Sequence, residues 1–240
     1  MAVESRVGPY RIVRLVNRGG QGSVYLGYDK RLRRRVAIKI YDLPSGRAAR
    51  RLLLQEAQVV ASLDSPKIVQ IHDVIESSEH LAMVMAYIPG CDLEEFLAAV
   101  RPSLASILAI GADIAGALAG AKQPHVVPGD LKAANVLITE KGRVKLTDFG
   151  IAHRSSDGNG QQAGSLTAVS PEQYLGKPID VRSDLFALGC LLYRMLGGVS
   201  PFVRNGKLDD RLLLEQNPPP LAQLVPAGIE LPSELLELVT

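Results

Sequence analysis

Asp130-Leu131-Lys132-Ala133-Ala134-Asn135, followed by the β-branched stretch Val136–Thr139, the turn Glu140-Lys141-Gly142, a second strand-like piece Val144–Thr147 and then Asp148-Phe149-Gly150, is the stretch that decides how the sequence is read. An aspartate, a lysine two residues on and an asparagine five residues on, with a second aspartate after a predicted hairpin, supply a base, a phosphate contact and two oxygen ligands for magnesium. Mg2+ favours carboxylate, amide and phosphate oxygens, so such a site needs neither His nor Cys.

Upstream, Val16-Asn17-Arg18-Gly19-Gly20-Gln21-Gly22-Ser23-Val24-Tyr25 reads as strand, turn and strand. Glycines there let backbone N–H groups approach phosphate oxygens without side-chain obstruction. Val36-Ala37-Ile38-Lys39 follows as a strand in which alternation sends Ala37 and Lys39 to one face. A lysine on an inner face needs an anion, and Glu56 on the next predicted helix is placed to hold its ammonium by an ion pair.

With 47% of 240 residues hydrophobic, the chain buries a substantial core, in one large domain or two closely packed lobes. A net charge of +2 is too small to argue for nucleic acid, and none is expected as a partner; Lys30, Arg31, Arg33, Arg34 and Arg35 form a basic run able to meet phosphates or an acidic partner, read first as a solvated hairpin loop. Cys91 and Cys190 give neither a disulfide framework nor a metal cluster. The first ten residues carry no apolar signal core, and Leu104–Ala121 reads as a buried core helix rather than a membrane segment. The expectation is a cytoplasmic protein, alone or as the cytosolic part of a larger one.

Up to about Met85 the apolar residues fall in short strand-like runs, Tyr10–Val16, Val36–Ile40, Ile68–Val74 and Leu81–Met85, interrupted by one helix over Ala48–Leu63. After Pro89-Gly90 the pattern turns helical, with helices at Leu93–Val100, Leu104–Ala121 and Leu185–Leu196. Ser183-Asp184 reads as the start of the last of these. Between Arg154 and Gly164 the residues are polar and small, the composition of a mobile surface loop. A proline-rich connector then leads to a helix from about Ser233.

Taken together, the glycine turn, V-A-I-K, D-L-K-A-A-N, D-F-G and Ser170-Pro171-Glu172 resemble the protein kinase family over nearly the whole chain, and the wording Ser-Pro-Glu-Gln and Arg-Ser-Asp is most similar to bacterial members. The resemblance implies an α+β, two-lobed fold: an N-lobe of antiparallel sheet plus one helix over 1–85 and a mainly helical C-lobe over 86–240, lacking its last helices. It implies that ATP and Mg2+ are bound and the γ-phosphate passes to a protein hydroxyl. Lys39 and Glu56 would position the α- and β-phosphates, Asp130 would accept or orient the hydroxyl proton, Lys132 would meet the γ-phosphate, and Asn135 with Asp148 would hold magnesium. Asn17, Gly19, Gly20 and Gly22 would form the phosphate loop. Val24, Ala37 and Leu137 would sandwich the adenine, Met85 would guard the back of its pocket, and the backbone of Ala86 and Ile88 would bond its edge. Lys132 resembles the Ser/Thr class, and Asp184 would tie down the catalytic-loop backbone.

The sequence departs from the family pattern in four places. Asn17 replaces the first glycine of the phosphate loop, a modest change since Asn tolerates left-handed backbone. Ala86 replaces a common Glu whose backbone does the recognition. Glu172 would lack the Arg with which the family pairs it. Pro128-Gly129 replaces His-Arg, so that Pro supplies only part of the family's contact to Phe149 and the Arg that meets a phosphorylated loop residue is missing. Two readings follow: an active Ser/Thr kinase, preferred because Lys39, Glu56, Asp130, Asn135 and Asp148 are all present, and a nucleotide-binding scaffold with little transfer. Because Gly129 cannot bind a loop phosphate, replacing Ser155, Ser156 and Thr167 together by Ala should leave phosphotransfer within about tenfold of wild type, measured as initial rate.

Overall fold

The computed structural model describes residues 6–20, 22–42, 47–77, 80–121, 129–148, 166–225 and 231–239. Gln21, Pro128, Phe149, Gly150, the loop 154–164 and the side chain of Glu56 lie outside the described set. The described residues form two compact units, the first ending at Pro89 and the second beginning at Gly90.

The first unit is a six-stranded antiparallel sheet with one helix. Its strands are β1 (Arg6–Val7), β2 (Tyr10–Gly19), β3 (Gly22–Asp29), β4 (Arg34–Tyr41), β5 (Ile71–Glu76) and β6 (Leu81–Ala86), in the order β1-β2-β3-β4-β6-β5, and α1 spans Arg47–Ala61. Period-two alternation in β4 does the sorting: Val36 and Ile38 join Val7, Tyr10, Ala82 and Val84 in a core on one face, which leaves Ala37 and Lys39 on the other. The strand expected over Ile68–Val74 begins three residues later, at Ile71, and Ile68 and Val69, each 4% exposed, are buried before the ladder starts. Ile68 makes an isolated bridge there, so burial more than ladder pairing accounts for their character.

The second unit combines a three-stranded sheet of β7 (Gly90–Asp92), β8 (Val136–Thr139) and β9 (Val144–Leu146) with α2 (Leu93–Ala99), α3 (Leu104–Ala121), α4 (Pro171–Tyr174), α5 (Val181–Gly197), the hairpin β10 (Val203–Arg204) and β11 (Lys207–Leu208), α6 (Asp210–Glu215) and α7 (Ser233–Val239). α3 is long and apolar enough to cross a membrane by length and composition, yet it packs on α5 and β9 and buries Ile107, Ile110, Ile114 and Leu118 in the core of this unit. Arg194 on α5 donates both guanidinium nitrogens to the Glu94 carboxylate on α2, at 2.7 and 2.5 Å, which holds that carboxyl below the usual glutamate range.

One boundary corrects the sequence reading. α5 starts at Val181, capped by Asp180, whose side chain accepts from the Arg182 N–H at 2.8 Å. Ser183 and Asp184 are good capping residues by type, but at 1% and 2% exposure they lie inside the first turn and bond elsewhere.

The glycine turn closes where Gly19 pairs with Gly22 between β2 and β3. Gly22 has φ +142, and a Cβ there would lie 2.1 Å from the Ile40 carbonyl oxygen, whereas one on Gly19 would meet nothing within 4 Å. Gly22→Ala should therefore lower unfolding stability by about 2 kcal/mol or more, read as a shift in urea midpoint, while Gly19→Ala leaves the midpoint nearly unchanged.

Candidate active site

Each unit gathers one set of the residues singled out by sequence. In the first, strand register makes a cross-strand row on the face opposite the core: Asn17 stands across from Val24, Val24 across from Lys39, and Lys39 across from Met83. Ala37, on the same face as Lys39, stands across from Met85. Lys39 is 5% exposed, and its Nζ lies 5.0 Å from the Tyr41 ring centroid, a cation–π arrangement. A lysine this deep costs desolvation unless its charge is compensated. Glu56 sits on α1. The Ala86 N–H donates to the Gln70 carbonyl at 2.9 Å.

In the second unit the 130–135 segment folds onto itself. A single 3-10 turn over Ala133–Asn135 brings Asn135 back over Asp130. Its Nδ2 donates to the Asp130 carbonyl at 2.9 Å and to Asp130 Oδ2 at 3.1 Å, and Lys132 Nζ donates to the same Oδ2 at 2.7 Å. With its NH2 turned to Asp130, the amide oxygen of Asn135 is the atom left for a cation. The Thr147 N–H donates to the Asn135 carbonyl at 3.0 Å, which extends the β8–β9 ladder by one step. Asp148 therefore sits at the same end of that hairpin as Asn135. Its φ of +54 is a strained value for a residue with a Cβ, of the kind that persists where surrounding structure imposes it. Leu137 is half-buried on β8 opposite Asp92.

The loop leading into Asp130 is held by two side chains. Gly129 takes φ +66, and its N–H donates to Asp184 Oδ1 at 2.9 Å. Its carbonyl accepts from Gln173 Nε2 at 2.7 Å. Gln173 does double duty, since its Oε1 also accepts from the Ser170 N–H at 3.0 Å in the capping box that starts α4. The sequence reading named Asp184 for this tether and missed Gln173. The local signal was available in Ser170 with Gln three residues on, but the reach back to Gly129 spans 44 residues.

Glu172 does not stand without a partner. Burial pushes its carboxyl up, but a hydrogen bond from Ser183 Oγ, with others from its own backbone and from Ser170, leaves it below the ordinary value. Among the described residues no three of His, Cys, Asp and Glu gather as a metal site. Any cation would rest on one carboxylate, one amide oxygen and the oxygens of its ligand, the set Mg2+ prefers.

The chain belongs to the protein kinase domain family, whose pattern it matches over residues 10–239. It is 38% identical over 210 residues to the serine/threonine-protein kinase PrkC of Bacillus subtilis, covering 84% of this chain and 32% of that protein, and 34% identical over 230 residues to PknJ of Mycobacterium tuberculosis, covering 90% and 39%. It thus spans about a third of the length of these curated relatives. The crystal structure of the Mycobacterium tuberculosis PknI kinase domain superposes with a TM-score of 0.74 at 28% identity, over 93% of this chain and 85% of that one. The two-lobed kinase fold and the bacterial affinity expected from the motifs are those of these proteins.

Burial pushes the Asp184 carboxyl up to about 6, the Gly129 N–H opposing it. An unfolded aspartate titrates near 3.8, so between these values the folded chain keeps a proton that the unfolded chain has lost. Stability then falls as pH rises from about 4 to about 6 and levels off above, by up to about 3 kcal/mol. Asp184→Asn, whose amide oxygen still accepts from Gly129, should flatten that part of the profile of urea midpoint against pH.

Proposed function

We propose that the chain transfers the γ-phosphate of ATP to serine or threonine hydroxyls of a protein substrate. The observation that carries this reading is the Asp130–Lys132–Asn135 cluster, in which one carboxylate oxygen is shared by an ammonium and an amide. A carboxylate so held is fixed in orientation, as the group that is to meet the proton of an incoming hydroxyl must be. Lys132, two residues on, would exchange its contact with Asp130 for the oxygens of the transferring group, stabilising charge where it develops.

Residues 1–85 would act as the nucleotide-holding lobe and 86–240 as the catalytic lobe. On the first, Lys39, steadied by Glu56, would hold the α- and β-phosphates, with the backbone of Asn17, Gly19, Gly20 and Gly22 over them. Val24 and Ala37, with Leu137 of the second lobe, would enclose the adenine, and Met85 would close the rear of the pocket. The Ala86 N–H is committed to Gln70, so Ala86 would meet the adenine edge by its carbonyl and Ile88 by its N–H. Asn135 Oδ1 and the Asp148 carboxylate would hold Mg2+, which when bound neutralises phosphate charge. Gln173 and Asp184 would act as positioning residues, setting Asp130 through Gly129.

The test is transfer of labelled γ-phosphate from Mg-ATP to a generic basic protein. Wild type should incorporate label, and Lys39→Ala and Asp130→Asn should each abolish it. Gln173→Ala should lower kcat about tenfold with KM for ATP little changed, a barrier increase of about 1.4 kcal/mol. Nucleotide binding by the wild type without any transfer would favour a scaffold instead.

A further inference from the structure

Residues 6–41 contain ten Lys and Arg against a single acidic residue, Asp29, so this segment carries +9 in a chain whose total is +2, and the remainder carries −7. Strand register sets where that charge lies. Arg6 stands opposite Arg11, Arg11 opposite Tyr28, and Tyr28 opposite Arg35, so three exposed arginines share one face in a single cross-strand row. The Arg11 guanidinium lies 6.0 Å from the centroid of the Tyr28 ring. Like charges directly opposite each other weaken a sheet, so the Arg6–Arg11 pair is a cost that the fold does not require.

The same strands end in a built turn. The Asp29 carboxylate accepts from the N–H groups of Arg31 and Leu32 at 2.9 and 3.1 Å, and Arg33 takes φ +52. Arg34 folds back to within 3.7 Å of Asp29. Lys30, Arg31 and Arg33 are left exposed around Leu32, whose 65% exposure is the highest among the large apolar side chains of the described residues.

We propose that this end of the sheet docks on an anionic lipid bilayer, with Leu32 entering the headgroup layer and Lys30, Arg31 and Arg33 meeting lipid phosphates, backed by the arginine row. Charge spread along a row and around a hairpin tip suits many phosphates in one plane. An RNA or an acidic protein segment would satisfy the arginines but would offer Leu32 no apolar medium, whereas the boundary of a bilayer offers both.

Co-sedimentation of the full chain with vesicles of phosphatidylglycerol and phosphatidylcholine, beside vesicles of phosphatidylcholine alone, tests this. Binding to the anionic vesicles only is expected, weakening as salt is raised. Each basic residue near such a surface contributes about a fivefold factor, so Lys30→Ala/Arg31→Ala/Arg33→Ala should lose about 100-fold in affinity. Leu32→Asn should lose several-fold at unchanged charge, and neither variant should change phosphotransfer to a soluble peptide. Failure to bind anionic vesicles, equal binding to both kinds, an unchanged Leu32→Asn, or tighter binding of RNA or an acidic peptide would each overturn the proposal. Should the triple variant not fold, the wild-type comparison and Leu32→Asn decide it.

Discussion

The peptide groups of Gly129 lie in the buried interior of the second unit, where an unpaired N–H or C=O costs about 1–3 kcal/mol. Asp184 pairs the first and Gln173 the second, and much else follows from that requirement. Asp184 must be inside α5 rather than at its tip, which puts the helix start at Val181 and buries a carboxylate. Gln173 must reach inward from the first turn of α4, which fixes that turn through its capping box with Ser170. Ser183, next to Asp184, then faces Glu172, next to Gln173, and their hydrogen bond closes a second tie between the same two helices. The segment carrying Asp130 is thus suspended from two helices by side chains of adjacent residues, and its position is a property of the packed unit rather than of the loop itself.

What the sequence disclosed divides along the same line. Elements held by their own periodicity, such as α3 over Leu104–Ala121 and β8 over Val136–Thr139, were legible to the residue, because burial on one face writes itself into spacing. The grouping of Asp130, Lys132 and Asn135 was legible too, since a three-residue turn suffices to bring them together. The start of α5 was misread because Ser183 and Asp184 have the chemistry of caps while tertiary partners claim both. Ile68 and Val69 looked like strand for a parallel reason, since β-branched residues report burial before they report pairing. Gln173 escaped because nothing in its neighbours announces a hydrogen bond to a backbone 44 residues earlier. The fate of Glu172 likewise depended on Ser183, 11 residues on, and a side chain that changes partners leaves no periodic trace.

The first unit shows how one residue type serves unrelated demands within a short span. Gly22 is excluded from bearing a side chain by the carbonyl of Ile40, with or without a nucleotide, whereas Gly19 has open space about its Cα. The two positions therefore differ in what holds them. Gly22 is required by its own strand neighbour, so the hairpin alone accounts for it. The fold makes no such demand at Gly19, and a side chain there would leave the described strands undisturbed.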